Sequence, residues 1–100
     1  MGLPTIAPYE LPLAPELPPT RGPWKVETGR AALLIHDMQN YFVRPFQADA
    51  APLAPATANI ALLAAHCRQK GMPVFYTAQN GGQDRRDRGL QADLWGPGMS

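Results

Sequence analysis

The chain has 100 residues, of which 45% are hydrophobic and 17% charged, a composition that favours a folded core over disorder. The net charge of +1 provides no basic field for nucleic acid. The single cysteine excludes a disulfide framework and a cysteine-based zinc site. The sequence contains no apolar run near the roughly 20 residues that span a membrane, and no secretory signal pattern. We therefore predict a cytoplasmic protein without nucleic-acid or membrane partners.

Residues 1–28 are predicted to form an extended arm. Seven of the chain's twelve prolines lie within residues 1–23, and proline prevents a regular helix or central strand. The arm also carries apolar side chains, at Leu3, Ile6, Tyr9, Leu11, Leu13, Leu17 and Trp24. We expect it to lie on a protein surface, either its own or a partner's. A disordered tail is the alternative.

A strand, a helix and a second strand are predicted next. Residues 31–36 (AALLIH) form a short apolar run that is typical of a central strand in a parallel sheet. Residues 52–70 have helical periodicity, and Gly71 is a good stop residue. Residues 74–77 are rich in β-branched and aromatic side chains, which indicates a second strand. The predicted apolar helix face comprises Leu53, Thr57, Ile60, Leu63, Ala64 and Cys67. Together these elements form a βαβ unit with parallel strands.

The end of the sequence is predicted to be less regular. Residues 84–88 suggest a charged loop, residues 89–94 a short helix and residues 95–98 a turn. Two strands and one long helix cannot cover both faces of a parallel sheet. We therefore expect either a larger α/β domain or a partner chain that completes the sheet. A homo-oligomer, most simply a dimer, is predicted.

Asp37 and Gln79 each follow the carboxyl end of a predicted strand. The carboxyl ends of parallel strands share one sheet edge, where α/β proteins bind ligands. We therefore expect both residues at one crevice. A carboxyl group at the end of a buried strand is partly withdrawn from water, which suits an acid that gives and takes a proton. Alternatively, Asp37 caps a helix that begins near Met38.

His36 and Cys67 are predicted to be structural rather than catalytic. Strand alternation directs His36 to the face opposite Asp37, so we expect a buried, hydrogen-bonded histidine. Cys67 lies on the apolar face of the long helix, near its carboxyl end, where a thiol is more often a core residue than a nucleophile.

The arginines of the charged segment have two readings. Arg85, Arg86 and Arg88 alternate with Asp84 and Asp87. They form either a solvated loop with local ion pairs or a clamp for a carboxylate beside the crevice.

The aromatic residues Tyr41, Phe42 and Trp95 form either a pocket wall or part of the core. The sequence shows no metal-ligand spacing and no glycine-rich phosphate loop.

Three stretches resemble the isochorismatase-like hydrolases. Residues 31–42 (AALLIHDMQNYF) resemble the family's first strand and catalytic aspartate, and residues 74–79 (VFYTAQ) resemble its second strand. Residues 87–99 (DRGLQADLWGPGM) resemble the segment that distinguishes isochorismatases within the superfamily. The proline-rich arm is similar to the N-terminus of siderophore and phenazine pathway members. The resemblance covers essentially the whole chain.

This resemblance implies a three-layer α/β sandwich with a mostly parallel sheet, whose N-terminal βαβ portion occupies residues 29–100. It implies cofactor-free hydrolysis of the vinyl ether of isochorismate or 2-amino-2-deoxyisochorismate, which releases pyruvate and a dihydro-aromatic acid. Asp37 would protonate the vinyl carbon. The residues expected to contact the dicarboxylate substrate are Phe42, Gln79, Arg88 and Trp95.

The resemblance also exposes a missing part. The family's catalytic lysine and third catalytic position belong to a later segment, which Lys25, Lys70 and Cys67 do not match. We expect these residues to be the front of a protein of about 200 residues, a common domain size. The 100 residues alone should have little activity. One alternative is a truncated, non-catalytic relative that acts in binding or oligomerisation. A nicotinamidase-like amidase is disfavoured because Asp49 has no histidine nearby to share a metal.

Overall fold

The computed structural model describes residues 3–95 and 98, without the side chains of Arg85, Leu94 and Trp95. Short 3-10 turns in the arm occupy Ala14–Glu16 and Thr28–Arg30. The strands are β1, Leu33–Ile35, and β2, Val74–Tyr76. The helices are α1 (Asn40–Val43), α2 (Leu53–Gln69), α3 (Arg85–Arg88) and α4 (Gln91–Trp95).

The two strands form a small parallel sheet. Leu33 pairs with Val74 and Ile35 pairs with Tyr76. Beyond β2, the Thr77 N–H donates to the Ile35 carbonyl oxygen at 3.0 Å, which continues the ladder by one bond. With α2 as the connection, the predicted βαβ unit is confirmed, although both strands are shorter than their sequence patterns indicate.

The long helix α2 ends as the sequence predicts. Gly71 has a φ of 73°, in the left-handed region that glycine adopts without a steric cost. The chain reverses there, and the Met72 N–H donates to the Cys67 carbonyl oxygen at 2.8 Å. This bond satisfies one of the carbonyls that a helix end leaves open.

The core lies between α2 and one face of the sheet. Ala64 and Cys67 of α2 are buried, as is Ile35 of β1. The predicted core role of Cys67 is therefore confirmed. Thr57 and Leu63, predicted on the same buried helix face, are instead exposed. Each strand of three residues extends about 10 Å, whereas the 17 residues of α2 extend about 25 Å, so the sheet covers only part of α2.

The opposite face of the sheet is exposed. Leu34 and Phe75 keep 58% and 55% of their surface accessible. Within residues 3–95, no helix or strand covers them. The sheet was expected to be covered on both faces, but it is covered only on the face that packs against α2.

The N-terminal arm lies along its own chain. The Ile6 N–H donates to the Pro45 carbonyl oxygen at 2.9 Å, and the Tyr9 N–H donates to the Ala51 carbonyl oxygen at 3.1 Å. Ile6 is half-buried, whereas Trp24 is 80% exposed. Contact with the rest of the chain is therefore made by the first part of the arm.

The charged segment is helical rather than a loop, which corrects the sequence prediction for residues 84–88. Asp84 Oδ1 accepts a hydrogen bond from the Asp87 N–H at 3.1 Å, and the Arg88 N–H donates to the Asp84 carbonyl oxygen at 3.0 Å. Aspartate is a favoured residue at a helix start because its carboxylate satisfies an open N–H group there. This local cap explains why a run of charges forms a helical turn.

The short helix α4 occupies Gln91–Trp95, slightly later than the predicted stretch 89–94. Of the predicted turn at residues 95–98, Gly96 and Pro97 lie outside the described residues. Over the described ranges, no helix is long and apolar enough to cross a membrane.

Candidate active site

Asp37 lies two residues beyond the end of β1, in a sharp backbone turn. Its φ is 51°, a left-handed conformation that few non-glycine residues adopt, with Asp and Asn the usual exceptions. Its side chain is 23% exposed, which agrees with the expected partial burial. Helix α1 begins at Asn40 with Gln39 as its N-cap residue, so the alternative role of Asp37 as a helix cap is wrong.

A single hydroxyl joins Asp37 to the end of β2. The Asp37 N–H donates to Thr77 Oγ1 at 2.9 Å, and the Thr77 hydroxyl lies 3.3 Å from Asp37 Oδ1, to which it can donate. His36 Nδ1 lies 2.7 Å from Thr77 Oγ1. Thr77 therefore contacts the backbone and the carboxylate of Asp37 and the ring of His36.

His36 is not the buried histidine that strand alternation predicts. Its side chain is 71% exposed, and its Nε2 lies 3.4 Å from Asp37 Oδ2. β1 ends at Ile35, so alternation no longer applies, and the left-handed turn at Asp37 brings both side chains to Thr77. The predicted hydrogen bond of His36 is present, but the predicted burial and opposite orientation are wrong.

Gln39 joins the two strand ends a second time. Its Nε2 donates to the Gln79 carbonyl oxygen, and its Oε1 accepts from the Gln79 N–H, both at 2.9 Å. The side-chain amide thus pairs with the backbone as a neighbouring strand would. This pair holds the loop after β2 beside the turn after β1, at the sheet edge where Asp37 and Gln79 were expected to meet.

A cavity of about 340 Å³ opens beside this edge. Its lining residues are Leu3, Tyr41, Phe42, Gln79, Arg88, Gln91 and Gly98. Three of the four predicted substrate contacts, Phe42, Gln79 and Arg88, thus lie around one space. The side chain of Trp95, the fourth, lies outside the described residues. Asp37 does not line the cavity formed by the described residues, and is linked to it through the pairing of Gln39 with Gln79.

Of the three arginines in the charged segment, Arg88 lines this cavity. It is half-buried, and its Nη1 lies 3.3 Å from Gln83 Oε1, which accepts a hydrogen bond. Gly98, with a φ of 96°, lies against the guanidinium, and a Cβ atom there would be 3.0 Å from Arg88 Nη1. Arg86 is exposed, as a solvated charge would be, and the Arg85 side chain is not described.

A second cavity of about 510 Å³ lies between α2, α1 and the sheet. Its lining is mainly apolar and includes Ile35, Val43, Ile60 and Ala64. Of the predicted site residues whose side chains the structure describes, none lines it. Among the described residues, no group of three or more His, Cys, Asp or Glu side chains could hold a metal ion.

Sequence reasoning missed Thr77, Gln39 and Leu3. Thr77 was assigned only to the end of a strand, yet a hydroxyl at that place is the kind of group that can bond the neighbouring strand end. Gln39 lies two residues after Asp37, inside the motif used for the family resemblance. No sequence signal placed Leu3 at the cavity. The path of the arm depends on backbone hydrogen bonds to residues far along the chain, such as that from the Ile6 N–H to the Pro45 carbonyl oxygen.

Comparisons with known proteins support a common origin over the whole chain. The family model described as "Isochorismatase domain" matches residues 31–99. The chain is 49% identical to the "Isochorismatase" of Bacillus subtilis (strain 168), over 100% of this chain and 32% of that protein. It is 43% identical to "Enterobactin synthase component B" of Escherichia coli (strain K12), over 100% of this chain and 35% of that protein.

A third relative is the "Phenazine biosynthesis protein PhzD1" of Pseudomonas aeruginosa. Identity is 45% over 98% of this chain and 46% of that protein. The chain therefore spans between about a third and just under half the length of these three relatives.

Proposed function

The chain belongs to the isochorismatase family, and we propose that it supplies the first part of a vinyl-ether hydrolase that acts on isochorismate or 2-amino-2-deoxyisochorismate. The relatives carry names from siderophore and phenazine biosynthesis, so we propose one of these pathways. The observation that carries the proposal is the cavity at the strand ends. Phe42, Gln79 and Arg88 line it, and Asp37 is linked to it through the pairing of Gln39 with Gln79.

In the proposed reaction, Asp37 is the general acid. Its carboxyl proton adds to the terminal carbon of the vinyl ether, which becomes a methyl group, and the ether carbon becomes an oxocarbenium ion. Water adds to that carbon and loses a proton, which restores the Asp37 carboxyl. The resulting hemiketal separates into pyruvate and the ring alcohol. A partly buried carboxyl that is held in one orientation suits this step, because the proton must reach one specific carbon.

Arg88 supports the choice of substrate. Both candidate substrates carry two carboxylates, and a guanidinium binds a carboxylate through two parallel hydrogen bonds. Arg88 is half-buried, with Gln83 accepting from one nitrogen and Gly98 packed against the group. A guanidinium that is already fixed in place loses less conformational entropy when it binds an anion than a mobile surface arginine does. Phe42 would supply an apolar contact for the six-membered ring.

The rest of the active site belongs to the proposal as well. The family resemblance implies a catalytic lysine and a third catalytic position from a later segment. Hydrolysis is therefore expected of the full-length protein that contains this chain, and not of these 100 residues alone. The cytoplasmic location and the dimeric state stay predictions from the sequence.

The test is pyruvate release by that full-length protein. With isochorismate or its amino analogue, the expected result is one pyruvate for each substrate consumed. Chorismate, which carries the same vinyl ether but has its ring hydroxyl group at another position, serves as the control and should react far more slowly. In heavy-oxygen water, the ring alcohol should keep its ordinary oxygen, because water attacks the vinyl carbon. No pyruvate from either substrate would overturn the proposal.

A further inference from the structure

We propose that Thr77 is a positioning residue for Asp37, whose hydroxyl fixes the turn and directs the transferable proton to Oδ2 of the carboxyl group. The catalytic consequence rests on the proposed function, whereas the positioning itself can be tested without substrate. Thr77 touches neither cavity, so its role would be exerted through Asp37.

The first step of the argument is the bond to the backbone. Asp37 has a left-handed φ of 51°, a conformation that costs a non-glycine residue free energy and persists only where neighbours fix it. Its N–H donates to Thr77 Oγ1 at 2.9 Å. Thr77 is in turn held by its own N–H, which donates to the Ile35 carbonyl oxygen at 3.0 Å. The turn is therefore fixed against the sheet ladder.

The second step concerns which atoms supply the protons. A threonine hydroxyl donates one hydrogen bond and accepts two. Thr77 Oγ1 accepts from the Asp37 N–H, and it contacts both Asp37 Oδ1 and His36 Nδ1. If His36 carries its proton on Nδ1 and donates it, the hydroxyl proton is available for Asp37 Oδ1. All three bonds are then satisfied at once.

The third step follows for the carboxyl group. An oxygen that accepts from the Thr77 hydroxyl is the poorer place for the acidic proton, so Oδ1 acts as acceptor and Oδ2 carries the proton. Oδ2 lies 3.4 Å from His36 Nε2, a longer contact than the three made by Thr77 Oγ1, so Oδ2 is the carboxyl oxygen left to face a substrate. Thr77 thereby determines which oxygen is the acid.

The test compares Thr77→Val with Thr77→Ser in the full-length protein. Valine keeps the shape and removes the hydroxyl, whereas serine restores it. For Thr77→Val we expect kcat to fall about 10- to 100-fold, as for a displaced catalytic group, with KM changed less than threefold. Thr77→Ser should recover kcat to within about threefold of wild type. Thr20→Val, at an exposed threonine of the arm, is the matched control and should leave both constants unchanged.

A second measurement does not depend on the reaction. Amide hydrogen exchange should be about tenfold faster at Asp37 in Thr77→Val than in wild type, because the N–H loses its acceptor. Exchange at Asp37 should be near wild type in Thr77→Ser. The residue-77 amide, bonded to Ile35, provides the internal control and should stay protected in all variants.

The two measurements separate the possible failures. If the wild-type protein releases no pyruvate, the proposed function is wrong, and exchange at Asp37 still decides whether Thr77 holds the turn. Unchanged exchange at Asp37 in Thr77→Val would overturn the positioning role. So would a Thr77→Val enzyme with wild-type kcat, or a loss of kcat that serine does not restore.

Discussion

Two cavities differ in size and in what surrounds them. Helix α1 stands between them: Asn40 and Val43 line the larger cavity, and Tyr41 and Phe42 line the smaller one. The larger, about 510 Å³, is mainly apolar and lies against α2 and the sheet. The smaller, about 340 Å³, has Gln79 and the held cation Arg88 in its wall. Arg68 lies in the wall of the larger cavity, so position at the strand ends, more than volume or the presence of a cation, marks the candidate site.

The difference follows from position in the fold. The larger cavity lies along the side of the βαβ unit, between the apolar face of α2 and the two strands found among the described residues. The smaller cavity lies at the carboxyl edge of those strands, where the chain leaves the hydrogen-bond ladder and exposes polar groups. The first is a packing feature and the second is where a ligand is expected.

The largest effect should come from Asp37. We expect Asp37→Asn in the full-length protein to lower kcat for pyruvate release by about 1,000-fold or more, because the amide cannot supply the proton. Asp49→Asn, at an exposed aspartate, is the matched control and should have wild-type kcat. An Asp37→Asn enzyme within threefold of wild type would contradict the assignment of the acid.

Arg88 should have the next largest effect. Arg88→Ala removes the cation from the smaller cavity, and kcat/KM should fall about 10- to 100-fold, as for a lost charge-assisted hydrogen bond. Arg88→Lys should restore the charge but not the paired geometry, and should give an intermediate value. Arg86→Ala, at an exposed arginine of the same helix, is the control. Equal losses from Arg86 and Arg88 would mean a general charge effect rather than a clamp.

Gln39 should have a smaller effect, on binding. Gln39→Ala removes both hydrogen bonds to the Gln79 backbone and frees the loop after β2. We expect KM to rise about tenfold with a lesser change in kcat, since two neutral hydrogen bonds are lost. Gln47→Ala, at an exposed glutamine, should leave KM unchanged in the same steady-state assay. A wild-type KM in Gln39→Ala would show that Gln79 keeps its place without this pair.

The smallest effect on activity should come from the larger cavity. Ile60→Val removes one methyl group from its half-buried wall, and the free energy of unfolding should fall by about 1 kcal/mol. The value of kcat/KM should stay within about twofold of wild type. Thermal unfolding and the pyruvate assay measure the two quantities. A selective loss of kcat/KM in this stable variant would move the candidate site to the larger cavity.

The βαβ unit was predictable because periodicity reports which faces are buried. The helix stop at Gly71 followed from its backbone freedom, and the position of Asp37 and Gln79 at the same edge of the sheet followed from parallel strands. Those inferences need only local pattern and topology. The exposure of Leu63 was not predictable in the same way, because it depends on how far a narrow sheet extends under α2.

The orientation at the strand end was the main error. Alternation predicts opposite faces for His36 and Asp37 only while the backbone stays extended, and β1 ends at Ile35. The left-handed turn at Asp37 is hydrogen-bonded to the Thr77 hydroxyl, which is 40 residues away in sequence. Single-residue preferences do not contain such a bond, so Thr77 could be found only in three dimensions.

The most direct measurement is the location of bound substrate in the full-length Asp37→Asn protein. Isochorismate should bind without turnover, and backbone amide NMR can report which residues it affects. We predict shifts at Phe42, Gln79 and Arg88, around the smaller cavity, and unchanged signals at Ile60 and Ala64, around the larger one. Shifts confined to Ile60 and Ala64 would contradict the assignment of the strand-end cavity as the substrate site.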